Sequence, residues 1–495
     1  MKRTKIVGTI GPASESRVMI EKMIRAGLNV ARLNFSHGSY EHHAMLINNL
    51  RTVAKKLGEP LALLQDLQGP RIRTGNISKE GIRVEKGQKI YLVPENYRVT
   101  LKEVSTFIPI QYPDLYRDLK KGARILIDDG KIELEVLGIK SKAIACKVKI
   151  GDVITAHRGM NFPGSEIKAP ALTAKDLKDL DFGIKQNVDF IALSFVAGEK
   201  DIIQLRQVIA RLEAKRRKKT KDYKKPKRQT IGPWTRTKII AKIERPIAVK
   251  NFEKILKVAD GIMVARGDLG LEMPLEDLPL IQKKIVRRCV QEAKAVIVAT
   301  QMLDSMIRFP LPTRAEVSDV ANAILDGTDA IMLSGETATG KYPLKAVQVM
   351  TKIAREMEGM EMKEHERIEA DLKIKDGETE TVSYIAQDLA EEVRAKFIVC
   401  ATTKGYTAQS IAKYRSVVPI VALTPSETAK NQLALTWGVR PFHFPFNKTF
   451  VELLDKVKKL LLKNKLVKKG DKIVVAAAFP FGYVGQTNLV KVETI

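Results

Sequence analysis

Short apolar runs capped by polar residues alternate along the chain with stretches of helical period. Lys5–Thr9, Val30–Asn34, Leu61–Asp66, Phe190–Ser194, Lys238–Ile243, Gly261–Ala265, Ala295–Ala299 and Ala330–Leu333 are strand-like. Several are continuous apolar runs, the pattern of strands buried on both faces. Between them, Arg17–Ala26, Leu278–Ala293 and Leu344–Met357 repeat apolar residues at helical spacing. Eight strands interleaved with helices predict an α/β fold built on a closed (β/α)8 TIM barrel.

More than 120 residues between Asp66 and Phe190 break the rhythm. Ile82–Val84, Lys89–Val93, Arg124–Ile127, Lys131–Leu137 and Ala143–Ile150 read as short antiparallel strands punctuated by glycines. They predict a small β-barrel inserted after the third strand, leaving at Gly69-Pro70 and returning near Gly159–Pro170. Beyond about Met360, a charged helical linker leads to Phe397–Ala401, Ile420–Leu423, Val439–Phe444 and Lys472–Ala478, strands that alternate with helices. The expected division is 1–70 and 171–360 for the barrel, 71–170 for the insert, and 361–495 for a C-terminal α/β domain.

Composition narrows the class. The 495 residues are 44% hydrophobic and 29% charged, ample for sizeable cores and contrary to a disordered chain. No apolar run approaches the ~18 residues of a membrane helix, and Met1–Val7 lacks the apolar centre of a signal peptide. Cys146, Cys289 and Cys400 are too few and too scattered for a disulfide framework, so buried thiols in a reducing cytoplasm are expected. Lys+Arg number 85 against 57 Asp+Glu, a formal +28. That charge speaks to anionic partners, not to fold. Residues 211–228 concentrate it, with eleven Lys/Arg and two Asp/Glu, and read as a solvated helix extension running into a loop.

Barrels of this type place their chemistry at the C-terminal ends of the strands. Those ends carry Arg32 to Gly38, Gln65-Asp66, Lys242 and Glu244, Arg266 to Gly270, Thr300-Gln301 and Ser334 to Glu336. Lys242 and Glu244 are two apart and share a strand face. Glu244 and Asp268 come from neighbouring strands and suit a hard cation such as Mg2+ (or Mn2+), completed by substrate oxygens. Lys242 beside such an ion would stabilise a phosphoryl group in transfer. An interstrand salt bridge is the plain alternative for any one pair; polar groups at six tips together favour a site. Gly267 and Gly270 could expose amides to an anion, or mark an ordinary turn. Gly335–Lys341 spells G-x-x-x-x-G-K, but Tyr342 stands where Ser or Thr should follow, and the context is a barrel strand, not a nucleotide-binding sheet. No HExxH motif is present, and His42-His43 is expected on a helix surface.

At these residues the chain resembles the pyruvate kinase family. The match is carried by Thr9–Ser14, Ala31–Gly38, Asp66–Gly75, Lys242–Glu244, Met263–Gly270, Ala299–Met306, Leu333–Gly340 and Gly482–Asn488, all in family order. The resemblance implies phosphoryl transfer from phosphoenolpyruvate to ADP, giving pyruvate and ATP, the final step of glycolysis. It gives Lys242 the transferring phosphoryl group, Glu244 and Asp268 the Mg2+, and Arg32 the substrate phosphate. Gly267, Asp268 and Thr300 would hold the substrate carboxylate. Thr300, Ser334 and Glu336 would lie on the route that protonates the enolate carbon, through water. Arg73, Lys175, Asn34 and His37 fall on the nucleotide side. The insert becomes a lid that excludes water.

Asn34, Ser36 and Asp66 match the family's K+ ligands. The next position is usually Thr and here is Leu67; the usual Glu is Arg71. A fixed guanidinium would supply the missing charge, so K+ is not expected to be required; a plain hinge role for Arg71 is the alternative. Thr402, Thr403, Lys404, Gly405 and Thr407 resemble the effector phosphate loop of a regulatory C-terminal domain, or form a plain capped turn. The resemblance also implies a cytoplasmic homotetramer with a phosphorylated effector. Two other readings remain: a lyase acting on phosphoenolpyruvate or pyruvate through Mg2+, and nucleic-acid contact through 211–228. Arg73 and the lid argue against the first. The second has little support, because Tyr223 is the segment's single aromatic. No membrane partner is expected.

Overall fold

The computed structural model describes residues 2–96, 106–217, 236–361, 377–446, 449–479 and 487–495. Eight parallel strands close into a barrel: β1 (Lys5–Thr9), β2 (Val30–Asn34), β3 (Ala62–Asp66), β4 (Phe190–Leu193), β5 (Lys238–Ile243), β6 (Gly261–Ala265), β7 (Ala295–Ala299) and β8 (Ala330–Leu333). The ring closes where Lys5 lies beside Ala330. Alternation along the strands sorts their side chains. Val7, Leu64, Ile240, Met263, Ile297 and Met332 fill the interior. Their neighbours Ile6, Leu63, Ile239, Ile262, Val296 and Ile331 pack outward against helical residues such as Ile20, Leu50 and Val347. Both faces are therefore apolar, which is why the strands read as unbroken hydrophobic runs.

The insert is a six-stranded sheet, in spatial order Met160–Asn161, Arg124–Ile127, Ile132–Lys140, Ala143–Ile150, Lys89–Pro94 and Phe107–Ile110, with a separate pair formed by Ile82–Arg83 and Val153–Ile154. Bridges Arg73↔Gly159 and Thr74↔Ile110 join its two edges into a small barrel. One pairing departs from the antiparallel expectation: Lys89–Pro94 runs parallel to Phe107–Ile110. The insert also touches the barrel helix Arg266–Glu272. Glu272 Oε1 accepts from Asn161 Nδ2 at 3.1 Å and from the Phe162 amide at 3.2 Å. At the exit, Gly69 has φ +66°, and a β-carbon there would press on Ser194 Cβ at 3.0 Å, so the close turn requires glycine.

The C-terminal sheet runs Val439–His443, Ile420–Thr424, Phe397–Ala401, Lys472–Ala477, then an antiparallel edge strand, Leu489–Thr494. It docks beneath the barrel, at the strands' N-terminal ends. Lys5 Nζ donates to the Val439 carbonyl at 2.7 Å, Arg415 pairs with Asp329 at 3.1 Å, and Gln432 reaches the Asp189 carbonyl at 3.0 Å. The opposite end of the barrel is left to the insert.

The basic segment is helical within Glu199–Arg217; its residues 218–228 lie outside the described part, as do 362–376 of the linker and 480–486 of the closing string. All three cysteines are buried and free. Among the described residues no helix is long and apolar enough to cross a membrane.

His43 corrects the surface expectation. It follows His42 on the helix Tyr40–Leu57, but the helical turn points it inward, where its ring stacks on Phe35 at 4.0 Å and its Nε2 meets the His37 carbonyl at 2.9 Å. Burial holds its pKa below the ordinary imidazole value, against the pull of that carbonyl. The unfolded chain therefore takes up the proton first, and the His43 contribution to stability declines as pH falls below about 6.5 towards the lowered native value. His43→Gln should lose less stability than the wild type between about pH 7 and 5; parallel losses in urea melts would contradict this. In the helix Ala174–Lys185, a β-carbon at Gly183 would collide with the buried Gln65 amide. Gly183→Ala should therefore destabilise by ~1–3 kcal/mol, read as a lower thermal midpoint; an unchanged midpoint would show that Gln65 yields freely.

Candidate active site

A buried charge cluster stands at the C-terminal ends of β2, β3 and β5. Lys242 Nζ lies 2.8 Å from Glu244 Oε1 and 3.2 Å from Asp66 Oδ1. Arg32 Nε binds Asp66 Oδ2 at 2.7 Å, and its Nη1 donates to Thr9 Oγ1 at 2.9 Å. Burial alone would lower the Lys242 pKa, but Asp66 and Glu244 outweigh it and hold the ammonium above its ordinary value. Burial would likewise raise Asp66, and Lys242 with Arg32 reverses that. Glu244 is different: burial raises its pKa, the Asp268 charge adds to the rise, and Lys242 opposes both. Two carboxylates near enough to repel one another, beside a cluster otherwise neutralised, form a donor set that fits a divalent cation completed by substrate or water oxygens. Among the described residues there is no cluster of three or more metal-ligating side chains, so such an ion would need those outside oxygens.

Strained backbone sits beside this cluster. Phe195, just past β4, has φ +56° and donates its amide to Glu244 Oε2 at 2.7 Å. Thr300, just past β7, has φ +73°, and its Oγ1 accepts the Gly267 amide at 2.7 Å. A bulky residue and a β-branched residue held at positive φ at two strand ends are the kind of backbone outlier that functional sites collect. Arg266 is clamped by both Asp319 oxygens at 2.6 Å and reaches the Thr300 carbonyl at 3.0 Å, which fixes the first turn of the helix Arg266–Glu272, where Gly267 and Asp268 lie. Past β8, the Glu336 carboxylate accepts the amides of Leu303 at 3.1 Å and Ser334 at 2.7 Å, while burial raises its pKa.

The remaining candidates lie around this centre. Asn34 Oδ1 accepts the Ser36 amide at 3.1 Å. His37 offers its carbonyl to His43. Lys175 Nζ is held between the Phe35 carbonyl and Asp179 Oδ2, both at 2.6 Å. Arg73 donates to the His157 carbonyl at 3.0 Å, inside the insert. Arg71 pairs with Asp129 of the insert at 3.5 Å and stands 3.9 Å from Asp268 Oδ1. In the C-terminal sheet's loop, Thr402 Oγ1 accepts the Gly405 amide at 3.0 Å, and the Thr407 and Thr487 hydroxyls are 2.7 Å apart. The G-x-x-x-x-G-K string, set aside as a phosphate loop on sequence grounds, opens with a short helix, Gly335–Ala338, that follows the last strand of the closed barrel.

Ser194 and Phe195 were missed from sequence. Ser194 Oγ accepts from Lys242 at 2.8 Å and donates to the Leu67 carbonyl at 2.6 Å. The signal was available: both residues occupy the tip of β4, the position that drew attention on six other strands.

Comparison with known proteins gives the family. A family model described as "Pyruvate kinase, barrel domain" matches residues 1–347, and one described as "Pyruvate kinase, alpha/beta domain" matches 380–493. A pyruvate kinase of Geobacillus stearothermophilus is 43% identical over 499 residues, covering 100% of this chain and 80% of the relative. One of Staphylococcus epidermidis is 43% identical and one of Staphylococcus aureus 42%, each over 500 residues, 100% of this chain and 81% of the relative. A lid-bearing barrel, its buried Lys–Asp–Glu–Arg cluster and relatives this similar along the whole chain show that the protein belongs to the pyruvate kinase family of phosphotransferases.

Proposed function

We propose that this chain transfers the phosphoryl group of phosphoenolpyruvate to ADP, giving pyruvate and ATP as the closing step of glycolysis in the cytoplasm. The observation that carries this reading is the convergence of Lys242, Arg32, Asp66 and Glu244 in a buried cluster on the insert's side of the barrel. In the reaction, the bond between phosphorus and the enol oxygen breaks and one to a terminal oxygen of ADP forms. The resulting enolate takes a proton at its methylene carbon. Lys242 neutralises charge on the phosphoryl oxygens, and Arg32, anchored by Asp66 and Thr9, binds the phosphate from the barrel wall. Mg2+ bound by Glu244 and Asp268 would supply positive charge to phosphoryl and enolate oxygens. Gly267, Asp268 and Thr300 receive the substrate carboxylate, which would compete for the Gly267 amide now given to Thr300. Thr300, Ser334 and Glu336 line the path for the proton. Arg73 and Lys175, with Asn34 and His37, take the nucleotide as the insert closes over it.

Leu67 offers no side-chain oxygen at the monovalent-cation site of Asn34, Ser36 and Asp66, and Arg71 brings a guanidinium to the same end of the barrel, beside Asp268. These support catalysis without K+. The loop Thr402–Thr407 supports binding of a phosphorylated effector, its Thr407 tied to Thr487 of the closing segment. Leu275, Leu280, Phe309 and Leu311 expose large apolar surfaces on the barrel, which supports assembly into a homotetramer.

Lys242→Met should lower phosphoryl transfer by ~10²–10³ or more, while Mg2+-dependent exchange of pyruvate methyl protons persists. Wild-type protein that makes no pyruvate from phosphoenolpyruvate, ADP and Mg2+ would defeat the reading. Omitting K+ and other monovalent cations should change turnover by less than about tenfold, and a larger loss would return the cation to the mechanism.

A further inference from the structure

Lys242 Nζ has three N–H donors and three oxygens around it: it is ion-paired with Glu244 Oε1 at 2.8 Å and Asp66 Oδ1 at 3.2 Å and donates to Ser194 Oγ at 2.8 Å. To grip a phosphoryl oxygen it must release one. The three acceptors are not equivalent. Glu244, with one oxygen on Lys242 and the other on the Phe195 amide, would be shared with a divalent ion held by it and Asp268. Asp66 is already shared with Arg32. Both carboxylates also cancel the charge that the phosphoryl group needs. Ser194 is the neutral acceptor: it directs the ammonium without neutralising it. Its single proton has a short acceptor in the Leu67 carbonyl at 2.6 Å and a longer one in Asp66 Oδ1 at 3.4 Å, and the Leu67 amide is held by the Ala192 carbonyl at 3.1 Å. Ser194 is 2% exposed, so water does not compete for that hydroxyl. A continuous path thus runs from barrel backbone through Leu67 and Ser194 to the Lys242 ammonium.

We propose that Ser194 is a positioning residue for the reaction, aiming Lys242 at the transferring phosphoryl group once Glu244 is engaged elsewhere. The inference rests on the phosphotransfer reading above and extends it to a strand tip that reading does not use.

The test compares full-length wild type, Ser194→Ala, Ser194→Thr, Ser194→Cys and Lys242→Met. Each is assayed for phosphoryl transfer from phosphoenolpyruvate to ADP, and separately for Mg2+-dependent exchange of pyruvate methyl protons. Thermal melts check folding. Ser194→Ala should lower kcat by about 10–100-fold, with KM for phosphoenolpyruvate little changed and proton exchange close to wild type. Ser194→Thr, which keeps the hydroxyl, should recover most of kcat. Ser194→Cys, a weaker acceptor of similar size, should fall between and gives the answer should the alanine variant not fold. Wild-type kcat in the alanine or cysteine variant overturns the proposal. So does an equal loss of transfer and exchange, or a folded threonine variant no better than alanine. Absence of transfer in the wild type itself overturns the functional reading, and this proposal with it; transfer in the wild type with no selective loss at Ser194 overturns this proposal alone.

Discussion

Taking an ammonium ion out of water is unfavourable by several kcal/mol unless hydrogen-bonded countercharges accompany it. Lys242 meets that requirement through Asp66 and Glu244, and Asp66 in turn is shared with Arg32. These four charges come from β2, β3 and the end of β5, so they meet only if the arc from β2 to β5 pairs in its present register. Removing one member would leave an uncompensated buried charge, which makes the cluster a check on the fold. Glu244 is compensated less fully: burial first, and then the Asp268 charge, raise its pKa against the pull of Lys242.

The two ends of the barrel are put to different uses by the same rule. At the N-terminal end, Lys5, Asp189 and Asp329 face a second apolar domain and find partners in Val439, Gln432 and Arg415. At the C-terminal end, strand tips retain polar groups, and loops bent through Phe195 and Thr300 at positive φ aim amides and hydroxyls inward. The insert reaches the same helix at both of its ends, through Arg71 near Asp268 and through Asn161 and Phe162 at Glu272.

Much of this was legible from sequence, for physical reasons. Barrel strands apolar on both faces announce themselves, and all eight appear within a residue or so of their expected limits. Phe107–Ile110 was missed because Pro109 interrupts its pattern, and Met160–Asn161 because two residues carry no period. Leu489–Thr494 alternates with Lys491 and Glu493 on an exposed edge and lacks the buried-strand signature. At the site, residue types and strand tips pointed to Lys242, Glu244, Asp268 and Arg32, but pairings did not follow from them. That Lys175 would be held by Asp179 one turn along its helix, that His43 would turn inward while His42 does not, and that Ser194 would share Lys242 are facts of side-chain direction, which one-dimensional spacing records only in part.

The pairing of Lys5 with Ala330 has a consequence for how the molecule is made. During synthesis from the N-terminus, β1 and β2 emerge hundreds of residues before β8 exists, and β3 must wait across the whole insert for β4. The barrel is thus a late product assembled from distant contacts, and such contacts form slowly because a long loop must close before they stabilise anything. The insert pairs mostly with itself and can fold on the nascent chain while the barrel edge beside it is still open. That order leaves barrel strands such as Val30–Asn34 without their partners while the rest of the chain is made, the stage at which exposed apolar surface is open to aggregation.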